Sequence, residues 1–105
     1  MELEDVIKSL RDFKDQRSWL RYHTPKNLAM SIAIETSELL ELFQWTTNAE
    51  EEIRALNEKR EKIAEEIADI LIYLLYFCDV AGIDLEKALR EKIARNEMRF
   101  PLEGK

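Results

Sequence analysis

Two glycines and two prolines are all that this chain of 105 residues has for sharp turns. With so few breakers it is expected to fold into a few long helices, because hairpins and short strands need turn residues at every connection. The apolar residues agree. Leu3, Val6, Ile7, Leu10 and Phe13, followed by Trp19 and Leu20, recur at helical spacing and predict a first helix over about 3–21. Thr24-Pro25 then supplies a cap and a first helical residue that loses nothing by lacking an N–H. A second helix is predicted from Pro25 to about Trp45, with Leu28, Ile32, Leu39 and Leu42 on one stripe.

Asn48 with Glu51 three residues on resembles a capping box, and Glu50 to Glu52 suit the positive end of a new helix. A third helix is expected to continue to Ala81, where Gly82 stops it. Unbroken, it would be on the order of 50 Å long, so a bend near Leu56-Asn57 is expected. Asp84 caps a fourth helix carrying Leu85, Ala88, Leu89 and Ile93 to about Arg99, and Pro101 ends it. No strand pattern, internal repeat or low-complexity segment competes. The expected fold is all-α, a four-helix bundle forming one domain over residues 1–105. A chain this short buries only about two-thirds of its unfolded surface, and oligomerisation is a common way to add burial.

The net charge of −6 speaks against a broad electrostatic attraction to nucleic acid. It does not exclude a phosphate-bearing small molecule whose charge is met by metal ions. The single cysteine, Cys78, suits a reducing compartment. The start Met-Glu-Leu-Glu-Asp lacks the basic and apolar pattern of a signal peptide. The apolar run from Ile70 to Cys78 is far shorter than a membrane span. A cytoplasmic protein with no membrane partner is expected.

With 22 acidic residues, a pair of acids three apart means little unless its surroundings are unusual. Here they are. Glu35 falls on the apolar stripe of the second helix, and Glu38 lies one turn on, among Ile32, Ala33, Ile34, Leu39 and Leu40. Glu66 and Asp69 repeat the spacing among Ile63, Ala64, Ile67, Ala68, Ile70 and Leu71. Carboxylates driven into apolar surroundings must protonate or gain a counter-charge. No basic residue lies between Asn27 and Arg54. A hard cation such as Mg2+, which favours carboxylate oxygens and keeps waters, is a natural partner. The patterning also admits polar contacts between helices or subunits, or simple exposure of the acids at the edge of the stripe. A di-iron bundle, which needs Glu-x-x-His pairs, is disfavoured because the one histidine, His23, lies outside these helices.

Glu35-x-x-Glu38 followed by Glu66-x-x-Asp69 resembles the paired acidic motif of the MazG-like, all-α nucleoside triphosphate pyrophosphohydrolases. The likeness covers nearly the whole chain. Arg17-Ser-Trp19 and His23-Thr-Pro25-Lys26-Asn27-Leu28 are similar to the segment before the first motif in the dCTP pyrophosphatase-like branch. Glu41-Leu-Phe43-Gln44-Trp45 resembles the stretch after it, and Lys92-x-x-x-Asn96-x-x-Arg99-Phe100-Pro101 the closing segment. The resemblance implies hydrolysis of a nucleoside triphosphate to monophosphate and pyrophosphate. It also implies Mg2+ on Glu35, Glu38, Glu66 and Asp69, and a dimeric or tetrameric assembly.

Within that resemblance, Glu35 or Glu38 is expected to position or deprotonate the attacking water. Lys92, Asn96 and Arg99, on one face of the last helix, are candidates for holding phosphates. Tyr73, one turn beyond Asp69, is expected beside the metal. Trp19 and Trp45 are candidates for stacking on a base, with packing as their alternative role, and His23 is a candidate on the substrate side. Tyr76 reads as packing. Leu10 stands near the place where dCTP-preferring relatives carry a histidine, which leaves base choice open. Two other functions compete: a non-enzymatic helical dimerisation module, and a relative that hydrolyses phosphoribosyl-ATP.

Overall fold

The computed structural model describes residues 2–102, and for Leu20 the backbone alone. It contains α1 (Leu3–Gln16), a 3-10 turn (Leu20–Tyr22), α2 (Pro25–Glu41), α3 (Ala49–Glu58), α4 (Arg60–Ala81) and α5 (Leu85–Arg99). The all-helical expectation holds, and the described residues include no strand. Among the described residues no helix is long and apolar enough to cross a membrane.

Most boundaries follow the capping chemistry. The Thr24 hydroxyl accepts from the Asn27 N–H at 3.2 Å, with Pro25 at the first helical position. Asn48 Oδ1 accepts from the Glu51 N–H at 2.8 Å, and Asp84 accepts from the Lys87 N–H at 3.1 Å. Gly82, at φ 67°, adopts the left-handed conformation that closes α4. The reciprocal half of the capping box differs from expectation. Glu51 reaches the Thr47 N–H at 2.7 Å and the Thr47 hydroxyl at 2.8 Å.

The first helix is shorter than its apolar pattern. It ends at Gln16 because Ser18 turns left-handed, at φ 56°. The Trp19 N–H then bonds the Lys14 carbonyl, and the Ser18 N–H bonds Asp15. This is the arrangement that usually places glycine at the left-handed position, and serine in its place hid the stop. The second helix loosens into turns after Glu41, and the Lys59 ammonium caps its end by donating to the Leu42 carbonyl at 2.9 Å. The long third helix divides at Lys59 (φ −113°, ψ 24°), just beyond the expected bend, which gives five helices instead of four.

α4 is the central element. It packs mainly along α2, with α1 and α3 against its flanks. The fully apolar core is small: Leu28, Ala55, Ile63, Leu75 and Tyr76. Among the described residues α5 packs substantially on no other helix and buries no residue. The single chain therefore does not close a four-helix bundle. Its radius of gyration, 17.3 Å, exceeds the value of about 13 Å for a compact chain of this length. Met30 and Ile34 on α2, Ile67, Leu71 and Leu74 on α4, and Leu89 and Ile93 on α5 are left exposed.

Candidate metal centre and its aromatic cavity

The α2–α4 packing brings three acids together. One carboxylate oxygen from each of Glu35, Glu38 and Glu66 lies within 4.8 Å of the others. Glu66 is 2% exposed, and Glu35 and Glu38 are half-buried. Glu35 Oε2 and Glu66 Oε2 are both buried without a hydrogen-bond partner. Burial, hydrogen bonding to Glu66 and Glu38, and the charges of Glu38 and Asp69 push the Glu35 carboxyl up to about 7. Glu66 moves the other way. The Lys62 ammonium, 3.1 Å from its Oε1, holds it below the ordinary range despite its burial.

Asp69 departs from the expected set of four. Its side chain is exposed, and it is not part of the three-carboxylate group. It acts on Glu35 through its charge and forms part of the wall of an adjoining cavity of about 340 Å³. That cavity is otherwise lined by Leu10, Phe13, Trp19 and His23 from the first third of the chain and by Ile72, Tyr73 and Tyr76 from α4. Its rings are set edge to face: Phe13 to Trp19 at 5.4 Å, His23 to Tyr76 at 4.5 Å and Tyr73 to Tyr76 at 6.4 Å between centroids. Such pairs hold ring faces in fixed directions.

A polar tie backs the aromatic wall. Lys14 is 3% exposed, 3.5 Å from Asp79 and 5.8 Å from the centre of the Tyr76 ring. Arg11 also donates to Asp79, from Nε at 3.2 Å. Burial and then the Lys14 charge keep the His23 ring below its ordinary value, so it is neutral at pH 7. Its Nδ1 is buried without a partner. A larger cleft of about 580 Å³, between the starts of α1 and α5, is lined by Glu2, Glu4, Lys8, Arg11 and Glu86 among others. It contains none of the clustered acids and no ring, so the smaller cavity is the one joined to the chemistry.

The other candidates are not brought to this place within one chain. Trp45 is 82% exposed beyond the end of α2. Lys92, Asn96 and Arg99 are exposed on α5. Conversely, Phe13, Lys14, Lys62 and the cavity role of Tyr76 were not read from the sequence. Lys62 carried a usable signal, standing four residues before Glu66 on the same helical face. Phe13 and Tyr76 carried none, since residues so far apart meet only through tertiary packing.

The profile of the MazG-like family matches residues 30–105, and this chain belongs to that family. It is similar to dCTP pyrophosphatase 1 of Rattus norvegicus, with 37% identity over 101 residues covering 95% of this chain and 59% of the relative. It is likewise similar to dCTP pyrophosphatase 1 of Homo sapiens, with 35% identity over 100 residues covering 94% and 59%. The chain thus spans about three-fifths of the length of these curated relatives. Among solved structures, a pyrophosphatase from Archaeoglobus fulgidus DSM 4304 superposes with a TM-score of 0.92 at 51% identity, covering 95% of this chain and 93% of that one.

Proposed function

We propose that this chain is a divalent-metal-dependent pyrophosphohydrolase that splits a nucleoside triphosphate into its monophosphate and pyrophosphate, with Mg2+ as the metal. One observation carries this function: three carboxylates within 4.8 Å of one another, two of them with buried unpartnered oxygens, adjoin a cavity walled by aromatic rings. That donor set, all oxygen and strongly anionic, fits a hard cation. Burial first, then contact with Glu66 and Glu38 and the charges of Glu38 and Asp69, raise the Glu35 carboxyl, and a bound cation would offset that cost. The names of the relatives, dCTP pyrophosphatase 1 and a pyrophosphatase, favour the same chemistry.

Glu35, Glu38 and Glu66 would hold the ion, with Asp69 at its edge. Bound there, a divalent ion would supply charge neutralisation for the polyphosphate and polarisation of a water for attack at the α-phosphorus. Glu35 or Glu38 positions that water and takes up its proton. Tyr73 and Trp19 offer ring faces for the base, where stacking contributes about 1–3 kcal/mol, and the neutral His23 lies between Trp19 and Tyr76. The preference for dCTP among triphosphates is part of the proposal, since it rests on the relatives' names.

Assembly with a second copy belongs to the same proposal. Ile67, Leu71 and Leu74 on α4, with Met30 and Ile34 on α2, are exposed large apolar side chains that a second copy would cover. Only across such an interface do Lys92, Asn96, Arg99 and Trp45 reach a site. The test is release of pyrophosphate across a panel of ordinary and modified triphosphates, with Mg2+ and with a chelator. Metal-dependent pyrophosphate release is expected. Orthophosphate as the product, or activity that survives chelation, would overturn the assignment.

A further inference from the structure

We propose that Lys62 is an exchangeable counter-cation of the acidic cluster: its ammonium rests on Glu66 in the ion-free protein and moves to the substrate's phosphates when a divalent ion takes Glu66. This rests on the metal-site function above and adds a substrate-binding residue to it.

Lys62 Nζ lies 3.1 Å from Glu66 Oε1 and 3.9 Å from Glu65 Oε2. The pair is asymmetric. The Lys62 side chain is 57% exposed and that of Glu66 only 2%, so a mobile cation approaches a fixed, buried acid from outside. Among the described residues no other cation is paired with Glu35, Glu38, Glu66 or Asp69. One ammonium cannot balance three carboxylates, and Glu35 Oε2 and Glu66 Oε2 stay without a donor. The cluster therefore has a counter-ion that is sufficient to order Glu66 and insufficient to satisfy the site.

Helix stability does not account for the pair. Within a helix the favourable order places the acid before the base at this spacing, and here the base comes first. Lys62 also stands in the first turn of α4, the end at which a positive charge is least favoured. Proximity to the acids explains its position better. When a divalent ion binds Glu66, the carboxylate's charge is largely taken up and the ammonium loses its partner. A triphosphate sharing that ion brings more negative charge than the ion can neutralise. The exposed, flexible four-carbon stem of Lys62 lets its ammonium turn from Glu66 toward the phosphates by a change of rotamer.

The exchange predicts effects of opposite sign in one variant. In Lys62→Met, Mn2+ binding without nucleotide, measured by titration calorimetry, should tighten by about threefold or more, because the competing cation is gone. In the same variant, KM for the triphosphate in the pyrophosphate-release assay should rise about tenfold with kcat nearly unchanged, reflecting one lost charge-assisted contact. Lys62→Arg should restore KM. Unchanged or weaker Mn2+ binding in Lys62→Met would show a passive surface pair and overturn the exchange, as would an unchanged KM. Absence of Mn2+ binding in the wild-type protein would overturn the metal site itself, an outcome visible before any variant is made. Circular dichroism of the exposed-site variant checks that the helices persist.

Discussion

The first four helices and the last differ in how much of their apolar surface the chain covers by itself. α2 and α4 turn part of theirs toward each other, so that Leu28, Leu75 and the acid Glu66 are each 2% exposed, while Met30, Ile34, Ile67, Leu71 and Leu74 on the same two helices stay open. α5 has Leu89 and Ile93 at helical spacing too, yet they are 51% and 55% exposed. The same kind of stripe makes a core in one place and an uncovered face in the other. Side chains on α2 and α4 acquire fixed neighbours within the chain, whereas Lys92, Asn96 and Arg99 acquire them only if another surface arrives.

The sharpest way to break this contrast is at the acids. Glu38→Ala should lower pyrophosphate release by about a thousandfold or more, while circular dichroism shows the helices intact. Arg99→Ala should reduce kcat/KM by about tenfold. If both variants retain wild-type activity, the site is elsewhere. The next effect concerns stability. Leu28→Ala should cost about 2–5 kcal/mol at any protein concentration, as expected for a cavity in a closed core, measured by urea unfolding. Ile93→Asp should instead separate the assembly, seen by analytical ultracentrifugation, and make the melting temperature concentration-dependent. Loss of the fold at high concentration would show that α5 serves the intrachain core after all.

A third effect follows from Glu35. Its folded value, about 7, lies above the ordinary 4.5. Between those values the folded protein binds more protons than the unfolded one, so this group makes stability fall as pH rises. His23, shifted downward, contributes the opposite slope below its ordinary 6.5. The difference between wild type and Glu35→Gln isolates the acid: in a chelator, wild type should lose more stability than the variant from about pH 5 to pH 7.5. Added Mn2+ should raise the wild-type melting temperature more at the upper pH. The smallest effect is at the end of α1. Ser18→Gly should stabilise by about 0.5 kcal/mol, since glycine relieves the left-handed strain but gains freedom when unfolded. Gly82→Ala should destabilise by about 1 kcal/mol, with nothing within 4 Å for the added methyl to touch.

Much of this was legible in the sequence, and what escaped did so for identifiable reasons. Helix starts at Thr24, Asn48 and Asp84 were readable because their caps act over three residues. The stop at Ser18 was not, because a non-glycine residue holds the left-handed position. The split at Lys59 involves neither glycine nor proline, so only helix length hinted at it. At the site, Glu35, Glu38 and Glu66 stood out as acids on apolar stripes, and the structure joins them. Asp69 shared the pattern but is exposed on the cavity wall, outside the three-carboxylate group. The aromatic wall depends on α1 meeting α4, which no local pattern encodes.

His23 is the one imidazole in the chain, set edge-on to Tyr76 in the cavity wall. Ring currents from Tyr76 and Trp19 would displace its proton resonances from those of a solvent-exposed histidine. A single pair of NMR peaks, free of overlap from any other histidine, can therefore report whether a nucleotide has entered beside it.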